Sequence, residues 1–361
     1  MRVAAGLIAV VCLSLAGFAQ QSAPPAQTPP LVERPSTVEP VAGRRISIDV
    51  VVNDKSGTPI SGLQQQDFTL LDDKQPLKFD SFAAFDETNA ATAPPQQLIF
   101  VVDAVNTSYG NMSMERQQLG KFLHDSGTQL PVPASFVFFT ETAVQMQPHA
   151  SRDTNELASV LSANETGFRA VGRSAGFYGA AERVELSIRA LGQLITYESK
   201  QPGRKIVVWI SPGWAYLSGP NIDLTAKDQQ TLFNTVVQLS AQLREARMTL
   251  YSIDPLGMSD AVSGRTVYYK EFLKGVPSAK KVQNGNLALQ VLAAQSGGRV
   301  LNTSNDIAGL LASCVTDTKA YYTLTFDAPR ADHPNEYHSL EVTVAKPGLT
   351  ARTRTGYYAQ P

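Results

Sequence analysis

Short apolar runs constrain this chain more than any other feature. Leu98–Val102 (LIFVV), Ser135–Thr140 (SFVFFT) and Lys205–Ile210 (KIVVWI) each hold at least four apolar residues in succession, and Met248–Ile253 (MTLYSI) reads as a further strand. A strand reads that way when both of its faces are covered, as in a parallel sheet flanked by helices. Helical spacing fills the intervals. It runs over Met114–His124, Thr154–Leu161 behind an Asp153 cap, Tyr178–Tyr197, Ala226–Arg244, Asn286–Ala294 closed by Gly297-Gly298, and Ile307–Val315. Ala143–Met146 reads as a hairpin partner of the second run, and Arg299–Leu301 as a short further strand. Strand alternating with helix predicts a doubly wound, mostly parallel α/β domain over residues 96–318, with ligand chemistry at the C-terminal ends of its strands.

The flanks follow a different rhythm. Ile46–Val52, Asp67–Leu71 and Leu77–Phe85 alternate apolar and polar residues, and so do Ala320–Phe326, Tyr337–Val344 and Thr350–Tyr357. Three strands alone bury little. Segments 45–88 and 319–359 are therefore expected to pack together as one β-sandwich into which the α/β domain is inserted. Two separate β modules are the weaker alternative. Residues 90–95 (AATAPP) read as a hinge between the parts.

The N-terminus reads as an address. Arg2, the apolar stretch from Val3 to Phe18, and small residues at Gly17 and Ala19 make residues 1–19 a secretory signal peptide. A Pro-rich linker follows over 20–44. The expected location is periplasmic or extracellular, with no membrane span after cleavage. Lys+Arg 31 against Asp+Glu 32 leaves a net charge of -1, so a nucleic-acid partner is not expected. The four histidines show no zinc-ligand spacing, and Cys314 is the only cysteine left after cleavage. LLASCVTD makes it a buried structural residue rather than a reactive thiol.

Asp103 ends the first apolar run and faces the expected crevice. In this region the chain resembles the von Willebrand factor A domain, in which a DxSxS motif, a later Thr and an Asp after the fourth strand form a metal-ion-dependent adhesion site. The resemblance implies that Asp103, Thr107 and Ser174 are the remaining metal-contacting positions. Val105 stands in place of the first Ser, and Pro212 in Ser211-Pro212-Gly213 replaces the second acid. Mg²⁺ binding is thus expected to be weak or absent. Asp254 could substitute in part, although capping the turn before Pro255 is its simpler role.

A wider resemblance, to the VWFA-related family common in Acidobacteria, runs from about Arg45 to Ala359. GRKIVVWISPG, LAAQSGGRVLNTSND and the closing block from YYTLTFDAP to TRTGYYA carry it. It implies the fold and an exported location, and the function expected of the chain is that of a non-enzymatic protein-binding module with no bound cofactor. Its crevice is expected between loops 103–113, 171–177, 211–224 and 254–284, with Trp214 and Tyr109 as partner-binding residues. A serine hydrolase is the rival reading, because Gly172-Arg173-Ser174-Ala175-Gly176 is GxSxG and Asp254 with His333 or His338 would complete Ser…Asp…His. ANETGFRAV before it makes a poor strand, however, and no oxyanion segment is evident. A purely structural envelope module is the third reading.

Overall fold

The computed structural model describes residues 45–89, 93–164, 176–214, 224–256 and 268–361. The signal and linker segments, Ser174 with its GxSxG loop, and parts of the two later crevice loops lie outside those residues.

Chain order begins with antiparallel strands β1 (Arg45–Asn53), β2 (Phe68–Asp72), β3 (Gln75–Leu77) and β4 (Ser81–Phe85). An α/β run follows. It comprises β5 (Gln96–Asp103), α1 (Tyr109–Asp125), β6 (Gln129–Phe139), β7 (Val144–Met146), β8 (Ser151–Asp153), α2 (Thr154–Ala163), α3 (Gly176–Glu198), β9 (Arg204–Ile210) and α4 (Ala226–Glu245). It continues with β10 (Met248–Ile253), α5 (Leu289–Gln295), β11 (Val300–Leu301) and α6 (Ile307–Thr316). The chain closes on β12 (Tyr321–Asp327), β13 (Glu336–Val344), β14 (Thr350–Arg352) and β15 (Gly356–Ala359).

The central sheet has seven strands, ordered β11-β10-β9-β5-β6-β7, with β8 also pairing with β6. β11, β10, β9, β5 and β6 run parallel, and β7 and β8 are antiparallel to β6. The consecutive apolar runs are explained by the two cores that they feed. Leu98, Phe100 and Val102 meet Leu119 and Phe122 of α1, Leu157 of α2 and Leu311 of α6 on one face. Ile99 and Val101 meet Leu191 and Leu194 of α3, Val236 of α4 and Leu289 of α5 on the other. Among the described residues, no helix is long and apolar enough to cross a membrane.

The flanking strands form two four-stranded antiparallel sheets, β14-β1-β12-β4 and β15-β13-β2-β3. Ile46 pairs with Phe326, and Val342 with Leu70. Alternate residues Ile46, Ile48, Val50 and Val52 share one core with Phe68, Leu70, Leu324, Phe326, Leu340 and Val342.

The structure differs from the sequence reading in three elements. Leu77–Phe85 is not one strand: β3 ends at Leu77 and pairs with β2, whereas β4 pairs with β12 in the other sheet. Thr350–Tyr357 is not one strand: β14 pairs with β1, whereas β15 pairs with β13. The chain thus crosses from one sheet to the other at Thr353–Thr355. The expected helix from Asn286 begins as a 3₁₀ turn at Asn284–Leu287, and α5 starts only at Leu289. Ala288, in extended conformation between them, interrupts the helical path.

Candidate functional site

Sheet order reverses between β5 and β9, so a crevice is expected beyond their C-terminal ends. Asp103 ends β5 there, and its carboxylate organises the turn that follows. Oδ1 accepts from the backbone N–H of Val105 (3.0 Å) and of Asn106 (2.9 Å). Oδ2 accepts from Asn106 Nδ2 (2.8 Å) and from Trp209 Nε1 (2.9 Å). Asn106 Nδ2 also donates to Ser187 Oγ of α3 at 2.9 Å. One side chain thereby ties together β5, its turn and β9, and reaches α3 through Asn106. The carboxylate is fully buried. Burial raises its pKa, while the donors from Trp209, Asn106 and Ser211 oppose the rise.

The turn then feeds α1. Ser108 is its N-cap, accepting from Asn111 N–H, and Tyr109 follows with 71 % exposure. Thr107 is buried in the same turn. Glu115 lies on the core stripe of α1 with Met112, Leu119 and Phe122 and is itself fully buried. Neither of its carboxyl oxygens makes a well-formed hydrogen bond to a described residue. Burial pushes its pKa well above the usual range. The charges of Asp103 and Asp254 push the same way, against the nearby Thr107 hydroxyl. Asp254, beyond β10, is buried, and its Oδ1 accepts from Leu256 N–H at 2.9 Å. That is the turn-capping role.

The β9 turn brings no side-chain oxygen from Pro212. The Pro212 carbonyl accepts from Gln290 Nε2 at 3.4 Å instead. Gly213 has φ +94°, a left-handed conformation that favours glycine, and the end of the Gln290 side chain fills the space where a Cβ would lie. That turn folds Trp214 back onto Trp209, with rings perpendicular within 15° and centroids 5.5 Å apart. The expectation of Trp214 as a partner-binding residue is therefore corrected: it is 1 % exposed and belongs to the core on the α3–α4 side of the sheet. Tyr109 is at the surface.

Asp103, Thr107 and Glu115 thus come together, with Asp254 close enough to act on Glu115 electrostatically. Ser174 lies outside the described residues. The histidines of the rival triad do not meet Asp254. His338 Nδ1 lies 3.0 Å from Asp72 Oδ1 on the flanking sheet, and exposed His333 lies 3.4 Å from its neighbour's carbonyl. Cys314 is buried, and burial pushes its thiol up to about 12. Sequence reasoning missed Glu115 and the Trp209 donor. The signal for Glu115 was available, since Met112, Glu115 and Leu119 fall on one helical face.

No family model matches the chain, and no curated protein is significantly similar to it in sequence. Among solved structures it is similar to a von Willebrand factor type A protein from Catenulispora acidiphila, at 9% identity and TM-score 0.33, over 88% of this chain and 75% of that one. It is also similar to the manganese-loaded TRAP protein of Plasmodium vivax, at 10% identity and TM-score 0.35, over 78% of this chain and 98% of that one. Proximal thread matrix protein 1 of the mussel byssus is 11% identical at TM-score 0.37, over 68% of this chain. The chain spans about half of that protein's length (51%). Likenesses this distant carry no statement about activity.

Proposed function

We infer that the chain is an exported, non-enzymatic protein-binding module, with a von Willebrand factor A-like α/β body inserted into a β-sandwich and a degenerate metal-ion-dependent adhesion site. One observation carries the reading. At the strand end where the resemblance puts the leading metal ligand, both oxygens of Asp103 are committed to four donors inside the protein. Val105 and Pro212 supply no side-chain oxygen, so the described donors do not fit Mg²⁺, which requires several open oxygen ligands. The partner then docks without a bridging ion. Tyr109 is a described aromatic placed to meet it, because it opens α1 directly after the β5 turn and is largely exposed.

The test is affinity capture with the full chain from an envelope extract, with and without EDTA. A partner retained in EDTA and lost with Tyr109→Ala supports the reading. Capture abolished by EDTA, or covalent labelling of Ser174 by a fluorophosphonate that disappears in Ser174→Ala, overturns it.

A further inference from the structure

A second cluster of chemistry lies away from the crevice, on the sheet formed by β15, β13, β2 and β3. Asp72 ends β2, Asp73 begins the turn to β3, and His338 sits on the neighbouring strand β13. The turn needs two left-handed residues in succession, and non-glycine residues fill both positions: Asp73 at φ +47° and Lys74 at φ +67°. This brings the Asp73 carboxylate back over β13. Asp72, Asp73 and His338 each offer one ligand atom, all within 4.8 Å of one another.

The geometry points to a divalent transition-metal site, of the Zn²⁺ class, formed by His338 Nδ1, Asp72 Oδ1 and Asp73 Oδ2. The distances from Nδ1 are 3.0 Å to Asp72 Oδ1 and 3.5 Å to Asp73 Oδ2. A tetrahedral ion with bonds of about 2.0–2.2 Å holds its ligand atoms roughly 3.3–3.6 Å apart. Both distances from Nδ1 lie within a few tenths of an ångström of that spacing, and the two carboxylate oxygens lie within 4.8 Å of each other.

The remaining oxygens are already tied. Tyr357 Oη donates to Asp72 Oδ2 at 2.8 Å, and the Ser339 N–H and hydroxyl donate to Asp73 Oδ1 at 2.9 Å each. Such outer contacts orient a carboxylate so that its free oxygen faces an ion. The imidazole is held as well, stacked on the Tyr357 ring at 5.1 Å and 18°. Among the described residues its Nε2 is buried without a hydrogen-bond partner, and Nδ1 is the ring nitrogen that faces the acids.

Charge supplies the independent argument. The Asp72 side chain is 6 % exposed, and among the described residues no Lys or Arg makes an ion pair with either carboxylate, His338 being the basic group in contact with both. Two acids facing one imidazole leave an excess of negative charge on a largely buried group, and a divalent cation neutralises it. A mixed imidazole and carboxylate set suits zinc and its first-row neighbours better than Ca²⁺, which takes oxygen ligands only. The Asp73 side chain is 55 % exposed, so a fourth position is open to water or an external donor. Binding requires the neutral ring with its proton on Nε2, so an imidazolium gives up its Nδ1 proton to solvent and a neutral ring only changes tautomer. The ion would cross-tie the β2–β3 turn to β13.

The test is calorimetric titration of the untagged full chain with Zn²⁺. The background carries glutamine at His124, His149 and His333, to silence the exposed histidines. One ion per chain is expected, with a saturable rise in melting temperature. His338→Gln and Asp73→Asn should each abolish stoichiometric binding. Tyr357→Phe should weaken it about ten- to a hundredfold, as loss of an orienting contact does. Asp73→Asn keeps an acceptor for Ser339, so it reports on the site even if His338→Gln fails to fold. Absence of a stoichiometric site in the background protein, or unchanged affinity in Asp73→Asn, overturns the assignment.

Discussion

Glu115 is a carboxyl group placed where a leucine would ordinarily sit. Its folded-state pKa is raised, so the native state binds the proton more tightly than the unfolded chain does. The stability of the protonated form is fully present below the unfolded value near 4.5 and is lost as pH rises through the folded value. Glu115→Gln keeps the shape and removes the ionisation. It should raise stability at pH 7–8 by about 1–3 kcal/mol and flatten the fall in melting temperature with rising pH. Urea melts of both proteins at pH 5 and pH 8 check this; equal stability differences at the two pH values would sink it. At this scale the sequence disclosed the acid at the end of β5, because strand-end position is legible in a linear pattern. It did not disclose that Trp209 Nε1, a hundred residues away, donates to that acid. Nor did it disclose that Trp214 turns inward, since that depends on a left-handed glycine reading out only in three dimensions.

Elements were more legible than sites. The consecutive apolar runs became the parallel strands because burial on two faces leaves no polar alternation to confuse the reading. The segment 350–357 was misread because alternation continues through Thr353–Thr355 while the chain changes partners. Proline-containing β6 extends back to Gln129 for a related reason. Its pairing with β8 is confined to Gln129 and Ala134, so Pro131 and Pro133 leave no ladder bond unmade. The end of α5 was foreseen from Gly297-Gly298, and the structure adds the cause. Gly297 has φ +90°, and a Cβ there would lie 2.7 Å from the backbone of Thr353 and Arg354. Gly297→Ala meets both obstacles and should cost more than about 1 kcal/mol. A midpoint shift in urea at unchanged slope measures it; an unshifted midpoint would show that the tail strands yield freely.

The whole molecule is joined by buried charge. Arg352 of β14 pairs with Asp317, just after α6, at 2.5 Å, and Tyr251 Oη of β10 donates to the same oxygen at 2.8 Å. Arg247, just before β10, pairs with Asp49 of β1 at 2.5 Å. These contacts link the α/β sheet directly to the flanking strands, beyond what the hinge-like composition of 90–95 implied. Removing one partner of a buried pair leaves the other uncompensated. Asp317→Ala should therefore cost about 3–5 kcal/mol. Fluorescence of Trp209 and Trp214 follows the α/β sheet, and limited proteolysis follows residues 45–85; both should report one shared transition at a lower midpoint. A loss confined to one probe would show that the parts unfold independently.

The pairing of β1 with β12 also has a consequence in time. Asp49 and Thr323, which share a hydrogen bond, are 274 residues apart in the chain. At synthesis rates of roughly 5–20 residues per second, β1 emerges roughly 15–55 s before its partner exists. For that interval its alternating isoleucines and valines present an unpaired edge. A newly made chain must keep β1 from pairing elsewhere until the last few dozen residues arrive.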